Sequence, residues 1–450
     1  MEENRSLKIS TLIKEQLAKD LSSIFYDMFP FELSSKYSNP NKRDRIFNNE
    51  NTLLTMLLTM TNEDKSLQQS VNIFKHIHEK NRLKIEKESA KIIEEAKLEN
   101  LPRKKGRRRT TAGRIAKSKL RPISSNTSAY TQARQRVSLN YIKDVFEKSK
   151  KHEEYEYKFK WNGFPVFIAD GTYLQMQDTK EMGQEFTTGI TGGYPRGLLE
   201  VIVEQGSGLI YGIQLSSHKK SELEILYDMI NTIPSGSLIL ADDLYNCYAI
   251  FDILEKRKIE FIVPGKRERT YSVVKKLGKG DELVTINHTH NSSWLKDQSE
   301  MNSNLLLRRI EYDDPNKEGT KRVLYTSLTS RKYTKLEIIL KYDSRWDIEI
   351  SIREIKTIMD INVVRSKTPT MARKEVYSAL IVYNYLRQII MEVAFEGDFS
   401  PEGDIIQKFY EINKPLYIDK LGRKYSRWSP GRHGYAEGGN NKIYNTIQAQ

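Results

Sequence analysis

Apolar side chains in the first hundred residues recur at intervals of three and four. This spacing places them on one face of an amphipathic helix, with Glu and Lys on the opposite face. The apolar positions include Leu12, Ile13, Leu17, Leu21, Ile24, Phe25, Ile73, Phe74 and Ile77. The pattern therefore predicts that residues 1–100 form a helical region.

The pattern changes near residue 160 to short apolar runs separated by helical segments. The runs that read as strands are VFIAD (166–170), GLLEVIVE (197–204), GLIYGIQL (208–215), LILAD (238–242) and IEFIVPG (259–265). Helical patterns cover 221–233 and 248–256. A hairpin followed by alternating strands and helices predicts a mixed α/β sheet covered by helices.

A second strand-rich stretch separates this pattern from the next helical one. LLLRRIEY (305–312) and RVLYTSL (322–328) are its clearest strands. The α/β pattern does not require so much additional chain. We therefore predict a β-rich insertion at residues 270–330.

The charge of the chain indicates a polyanionic partner. The formal net charge of the 450-residue chain is +14. The basic residues concentrate in 103–121, which contains ten Lys or Arg and no acid, Arg107, Arg108 and Arg109 among them. Nucleic acid is the leading candidate for a polyanionic partner of such an arm, and an anionic membrane is the second. A solvated linker is the alternative reading.

The remaining composition bears on the cellular compartment. Cys247 is the single cysteine, which excludes an intrachain disulfide and a cysteine metal cluster. The first residues lack the apolar segment of a secretory signal, and no apolar run approaches the ~20 residues that span a bilayer. We therefore expect a cytoplasmic protein, associated with the nucleoid of a prokaryote and not with a membrane.

Four polar residues in YDSRWDIEISIREIK (342–356) fall at helical spacing. Tyr342, Arg345, Glu349 and Lys356 are separated by three, four and seven positions. On one helix they share a wedge of about 60°, beside an apolar stripe that begins at Ile348. A carboxylate between two cations suits a site for a polyanion and a divalent cation. Ordinary intrahelical ion pairs are the alternative.

Two of the predicted strands end in Ala-Asp. Asp170 ends VFIAD and Asp242 ends LILAD, so neighbouring strands ~4.8 Å apart would bring both carboxylates to one rim of the sheet. With Glu349 they would form a three-carboxylate set of the kind that holds Mg²⁺ for displacement at phosphorus. Capping of a loop is the alternative role for each aspartate. Strand parity favours Asp242 over Asp243.

These residues resemble the DDE transposases of the insertion-sequence-four group. The signature helix of that group carries Tyr, Arg, Glu and Lys at the spacing of Tyr342, Arg345, Glu349 and Lys356. Asp170-Gly171-Thr172 resembles the segment of its first catalytic Asp, and LILAD followed by Tyr245 resembles that of its second. The resemblance covers about residues 127–391, although Asp243 stands where many members have Arg.

The resemblance implies an RNase H-like catalytic core built from residues 127–269 and 331–395 around the insertion. It is preceded by the helical region (1–100), for DNA binding or dimerisation, and by a DNA-contacting arm (101–126). A C-terminal region follows (396–450). Whether the N-terminal helices bind DNA or form a dimer interface stays open.

The activity implied is DNA transposition. Asp170, Asp242 and Glu349 would hold two Mg²⁺ ions, for which Mn²⁺ may substitute. Tyr342, Arg345 and Lys356 would hold the terminal DNA, and Trp346 would pack in the core. The partners would be the double-stranded DNA of the element's inverted repeats and of the target, bound by a homodimer. The alternatives are a catalytically silent DNA-binding protein and a plain nuclease with the same core.

Overall fold

A computed structural model describes eleven stretches of the chain. They are residues 36–37, 45–62, 64–79, 123–150, 160–186, 193–217, 220–265, 269–288, 294–295, 301–315 and 317–397. The basic arm with Arg107, Arg108 and Arg109 and the C-terminal region after 397 lie outside them. The chain divides into two compact units, 1–149 with 370–424 and 150–369 with 425–450.

The described part of the first unit is helical. Its named helices are α1 (Asn49–Thr61), α2 (Ser128–Arg136), α3 (Leu139–Lys148) and α9 (Pro369–Gly397, in this unit from residue 370), and residues 67–79 are also helical. Asn48 and Ser138 accept backbone N–H groups at the starts of α1 and α3, as good N-caps do. The Lys374 ammonium donates to the carbonyls of Arg134 and Gln135, each at 3.0 Å, and so joins α9 to the end of α2.

The second unit contains one ten-stranded sheet. Its strands are β1 (Lys160–Trp161), β2 (Phe164–Gln175), β3 (Arg196–Glu204), β4 (Ile210–Ser216), β5 (Leu238–Leu240), β6 (Glu260–Pro264), β7 (Tyr271–Gly278), β8 (Asp281–Asn287), β9 (Asn304–Asp313) and β10 (Lys321–Thr326). Along the sheet the order is β4-β3-β2-β5-β6-β10-β9-β8-β7, and β1 pairs with β2.

The first half of this sheet has the strand order that the family resemblance implies. β2, β3 and β4 are antiparallel neighbours, whereas β5 and β6 run parallel to β2. Three antiparallel strands followed by two parallel ones, with the first strand in the centre, is the RNase H-like arrangement. The predicted mixed α/β core is confirmed.

Helices cover this core because their apolar faces pack against the apolar side chains of the sheet. α4 (Lys180–Glu185), α5 (Glu222–Met229) and α6 (Tyr248–Lys256) belong to this part of the chain. α5 begins with a capping box in which Ser221 and Glu224 satisfy each other's backbone N–H. Ile225 and Leu226 of α5 and Phe251 of α6 lie in one buried cluster with Phe167 and Ile239 of the sheet.

The strands of the insertion extend the same sheet. β10 pairs with β6 and with β9, and β8 and β7 follow antiparallel. Arg308 on β9 makes a bidentate ion pair with Asp281 on β8, at 2.6 and 2.7 Å, and both side chains are buried. The third guanidinium nitrogen of Arg308 donates to the carbonyl of Tyr333 at 2.7 Å, so the insertion is fixed to the segment that precedes the signature region.

Two local predictions about secondary structure were wrong. β2 does not end at Asp170 but continues to Gln175, because β3 pairs with it as far as Arg196. The signature residues do not share one helix: α7 (Lys335–Asp343) ends before a 3-10 turn at Ser344–Trp346, and α8 (Asp347–Ile358) follows.

The break between α7 and α8 has polar partners. Ser344 donates its hydroxyl to the carbonyl of Lys341 at 2.6 Å. The amide of Gln205, in the β3–β4 turn, donates to the carbonyl of Ser344 at 3.3 Å and accepts from the ammonium of Lys341. These contacts satisfy backbone groups that a continuous helix would have paired internally.

Candidate active site

Asp170 and Asp242 lie level with each other on adjacent parallel strands. Ile168 of β2 pairs with Leu240 of β5, and each aspartate follows two residues later. Both side chains are half-buried. Asp170 accepts the backbone N–H of Gly171 at 2.9 Å, and Asp242 accepts that of Leu244 at 2.9 Å. The structure thus brings these two predicted residues together in register.

Glu349 faces the same site from α8. It lines a cleft of about 360 Å³ with Asp170, Gly171 and Lys356, beside Ile352, Arg353 and Asn362. The helix is anchored by Ile348, Ile355 and Met359, which are buried as the apolar stripe predicts. The side chain of Glu349 itself is exposed. The third predicted carboxylate therefore lies at the open side of the cleft.

The pKa of Asp170 depends on the charges of the other two acids, Asp242 and Glu349. Burial is the largest cause that raises the pKa of the Asp170 carboxyl above its ordinary value. The N–H of Gly171 and the charge of Arg345 lower this pKa, whereas the charges of Asp242 and Glu349 raise it further. Repulsion between like charges needs short separation, so the three carboxylates form one electrostatic site.

Arg345 lies between this site and Tyr342. Its guanidinium hydrogen-bonds to the Tyr342 hydroxyl, and burial raises the pKa of that phenol well above its usual value. One buried atom of the guanidinium, Nε, has no hydrogen-bond partner among the described residues. Arg345 therefore supplies positive charge close to Asp170 and still has a donor to offer.

The two other residues of the signature region differ in their surroundings. Lys356 is half-buried in the cleft, and burial lowers the pKa of its ammonium. Trp346 is 55% exposed with the Arg345 guanidinium 5.2 Å from its ring centroid. The expectation that Trp346 packs in the core was therefore wrong, because it lies in the 3-10 turn outside the apolar stripe of α8.

A second acidic group escaped prediction from the sequence. Glu200 of β3 is fully buried and accepts the hydroxyl of Tyr245 at 2.5 Å. Its other oxygen has no hydrogen-bond partner among the described residues. Burial, followed by the charges of Glu222, Asp170 and Asp242, raises the pKa of Glu200 to about 8, although the bond from Tyr245 lowers it. The available signal was a carboxylate within the apolar run GLLEVIVE.

The donor set suits a hard divalent cation, which prefers carboxylate oxygens. In the placement described here, no three His, Cys, Asp or Glu side chains of the described residues converge closely enough to hold one. Carboxylates repel one another, so an ion would have to draw them inward. The exposed side chain of Glu349 has the room to turn toward Asp170.

Within the described ranges, every helix is too short or too polar to cross a bilayer.

The segment that contains this site matches a known protein family. The sequence profile of a family described as "Transposase DDE domain" matches residues 161–385, half of the chain. This range contains all three carboxylates and the four signature residues.

Two Escherichia coli K12 proteins are similar in sequence. The transposase InsG for insertion sequence element IS4 is 27% identical over 280 residues, which are 59% of this chain and 62% of InsG. The putative transposase InsZ is 28% identical over 125 residues, which are 26% of this chain and 42% of InsZ. The chain thus matches less than two thirds of the length of either relative.

A solved structure is also similar, the piggyBac transposase synaptic complex with hairpin DNA. The two chains are 8% identical. The match covers 96% of this chain and 85% of the piggyBac chain, with a TM-score of 0.38. The profile match and the similarity to InsG confirm the resemblance to the insertion-sequence-four group. The chain belongs to the transposase DDE domain family.

Proposed function

We propose that this chain is the transposase of a bacterial-type insertion sequence. It cuts DNA at the ends of the element and joins the freed 3′-hydroxyl to target DNA. The observation that carries this proposal is the geometry of the acids: Asp170 and Asp242 lie level on adjacent strands, and Asp170 lines one cleft with Glu349 and Lys356. Family membership makes DNA the substrate class to expect of such a site.

In this proposal Asp170, Asp242 and Glu349 bind two divalent cations. Magnesium is the expected ion because the donors are carboxylates, and Mn²⁺ is expected to substitute. When bound, the ions supply Lewis acidity to the attacking and leaving oxygens of an in-line displacement. Asp242 follows the end of β5 by two residues and Glu349 lies in the first turn of α8, so the metal site depends on both elements.

The cations of the signature region hold the DNA backbone in this proposal. Nε of Arg345 has no partner in the part of the chain that the structure describes, and Lys356 lines the cleft, so each has a charged donor to offer a phosphate. Tyr342 orients Arg345 through their hydrogen bond. Burial of the Lys356 ammonium costs solvation that a bound phosphate would replace.

Further DNA contacts come from the basic arm. Arg107, Arg108 and Arg109 contact phosphates, and each contact releases counterions from the duplex. Two ends of the element must be cut and joined together. We therefore propose that the protein acts as a homodimer on its DNA.

The test is a gel assay with the full chain, Mg²⁺ and linear DNA that carries the element's inverted repeats. The expected result is nicking at the ends followed by a product joined to target DNA. Cleavage without joining would identify a plain nuclease, and binding without cleavage would identify a silent DNA-binding protein. Either outcome would overturn the proposal.

A further inference from the structure

We propose that the buried pair Tyr245–Glu200 is a positioning device for Asp242. This inference rests on the proposed function, because it concerns the carboxylate that would hold the cation. Neither residue touches the cleft that contains Asp170 and Glu349.

Asp242 has little regular structure of its own to hold it. β5 ends at Leu240, two residues before it, and the chain then enters a 3-10 turn, Asp243–Tyr245. The backbone of Asp242 is therefore outside the sheet ladder. Its position depends on how this turn is fastened to the rest of the unit.

Side-chain hydrogen bonds fasten the turn and the residue that follows it, Asn246, which also accepts from the Arg269 guanidinium. At its start, the side chain of Asp242 accepts the N–H of Leu244. After its end, the amide of Asn246 donates to the carbonyl of Pro264 on β6 at 2.8 Å. In its last position, Tyr245 is 1% exposed and donates its hydroxyl to Glu200 on β3. This last contact connects the turn to β3, in the antiparallel half of the sheet.

Glu200 is placed to make this contact from behind the site. It pairs across the strands with Gly171, whereas Val201 pairs with Asp170. Successive side chains of a strand point to opposite faces, so Glu200 and Asp170 project from opposite faces of the sheet. The pair thus reaches Asp242 from the face covered by α5 and α6, and the acidic cleft lies on the other.

A gap at Gly171 accommodates the carboxylate. A Cβ at this position would lie 2.9 Å from Oε2 of Glu200 and 3.1 Å from Oε1 of Glu222. Glycine next to Asp170 therefore lets the buried carboxylate approach the strand that carries the first catalytic acid. The Glu200 side chain also contacts the turn that follows Asp242, the second catalytic acid. Glu200 thus links the segments that carry Asp170 and Asp242.

A buried carboxylate is a costly way to fill a core. An apolar side chain of similar size on β3 would avoid the desolvation of Glu200, one oxygen of which has no hydrogen-bond partner within the described ranges. A hydrogen bond with defined direction is what the apolar side chain could not provide. This supports a positioning role over simple packing.

The test compares two substitutions of the same kind. Tyr245→Phe removes the hydroxyl that binds Glu200. Tyr248→Phe is the matched control, because Tyr248 is also buried and donates to a backbone carbonyl, that of Asn302, at 2.8 Å. Both variants lose one hydrogen bond of a buried tyrosine, so a merely structural effect should lower both melting temperatures to a similar extent.

The decisive readout is metal binding, measured by Mn²⁺ electron paramagnetic resonance on the full chain without DNA. The site of interest is the Mn²⁺ signal that Asp242→Asn removes. We expect Tyr245→Phe to raise its dissociation constant about fivefold or more, as loss of one buried hydrogen bond permits. The Mg²⁺ concentration for half-maximal DNA cleavage should rise by a similar factor. Tyr248→Phe should change neither quantity.

Substitutions at the acceptor provide an independent check. Glu200→Gln keeps an oxygen for the Tyr245 hydroxyl, and its Mn²⁺ affinity should stay within about twofold of the original. Glu200→Met removes the acceptor and should repeat the effect of Tyr245→Phe. Unchanged Mn²⁺ affinity in both Tyr245→Phe and Glu200→Met would overturn the inference. So would the absence of any Mn²⁺ site that depends on Asp242.

Failure of the proposed function would look different. A protein that never cleaves DNA, yet binds Mn²⁺ at a site sensitive to both Asp242→Asn and Tyr245→Phe, would refute transposition and support the positioning pair. A protein that cleaves normally with unchanged metal dependence in Tyr245→Phe would refute the pair and leave the function standing.

Discussion

Replacing Glu200 by glutamine should change how the stability of the protein depends on pH. The carboxyl group of Glu200 is fully buried, and its pKa is raised from 4.5 to about 8. Between these values the folded protein holds a proton that the unfolded chain has released. The free energy of unfolding must then fall as the pH rises from about 4.5 to about 8, and remain level above that.

The size of the effect follows from the shift. At about 1.4 kcal/mol per pKa unit, the displacement of the Glu200 pKa from 4.5 to about 8 corresponds to about 5 kcal/mol. Rearrangement of the neighbouring acids would absorb part of this energy. We therefore expect Glu200→Gln to match the original protein near pH 5 and to be more stable by about 2 to 5 kcal/mol at pH 8.5.

The assay is urea unfolding at a series of pH values, followed by tryptophan fluorescence in the presence of EDTA. Glu337→Gln is a control of opposite sign. Hydrogen bonds from the backbone and side chain of Thr334 lower the pKa of Glu337, so its stabilisation is present at neutral pH and lost as the pH falls. A stability difference for Glu200→Gln that is constant with pH, or that falls below zero at pH 8.5, would refute the reasoning.

Three further changes test other parts of the account. Replacing the arginines of the basic arm by glutamine should weaken DNA binding and flatten its salt dependence by close to one unit of log–log slope per lost contact; an unchanged slope would remove Arg107, Arg108 and Arg109 from the interface. Gly171→Ala should cost about 1–3 kcal/mol of unfolding free energy, because its Cβ would meet the Glu200 carboxylate at 2.9 Å; a variant as stable as the original would contradict that close approach. Arg308→Met should cost about 3–5 kcal/mol by leaving Asp281 buried without its partner; urea unfolding with a smaller loss would mean that the pair adds little.

Periodicity predicted the core well because each strand and helix there has one dominant local pattern. LILAD and IEFIVPG became β5 and β6 within two residues of their expected ends, and the helix expected at 248–256 spans Tyr248–Lys256. Parity along the strands also placed Asp242 level with Asp170. The resemblance supplied what periodicity could not, the RNase H-like order of the strands.

The misses came from contacts between segments far apart in sequence. β2 continues past Asp170 because β3 pairs with it, which no property of the run VFIAD reveals. The signature helix breaks at Ser344, where Gln205 binds the freed carbonyl from another hairpin. Glu200 and Tyr245 are 45 positions apart, so nothing local to either predicts that they meet.

We propose that Asp170, Asp242 and Glu349 act as one metal site for cleavage and joining of DNA. The most direct measurement is Mg²⁺-dependent cleavage of DNA bearing the element's ends by four variants of the full chain. Asp170→Asn, Asp242→Asn and Glu349→Gln should each abolish cleavage while binding the ends with near-normal affinity. Asp243→Asn, which removes the carboxylate adjacent to Asp242, should retain it. Cleavage that survives any of the first three changes, or that is lost only with Asp243→Asn, would contradict the account.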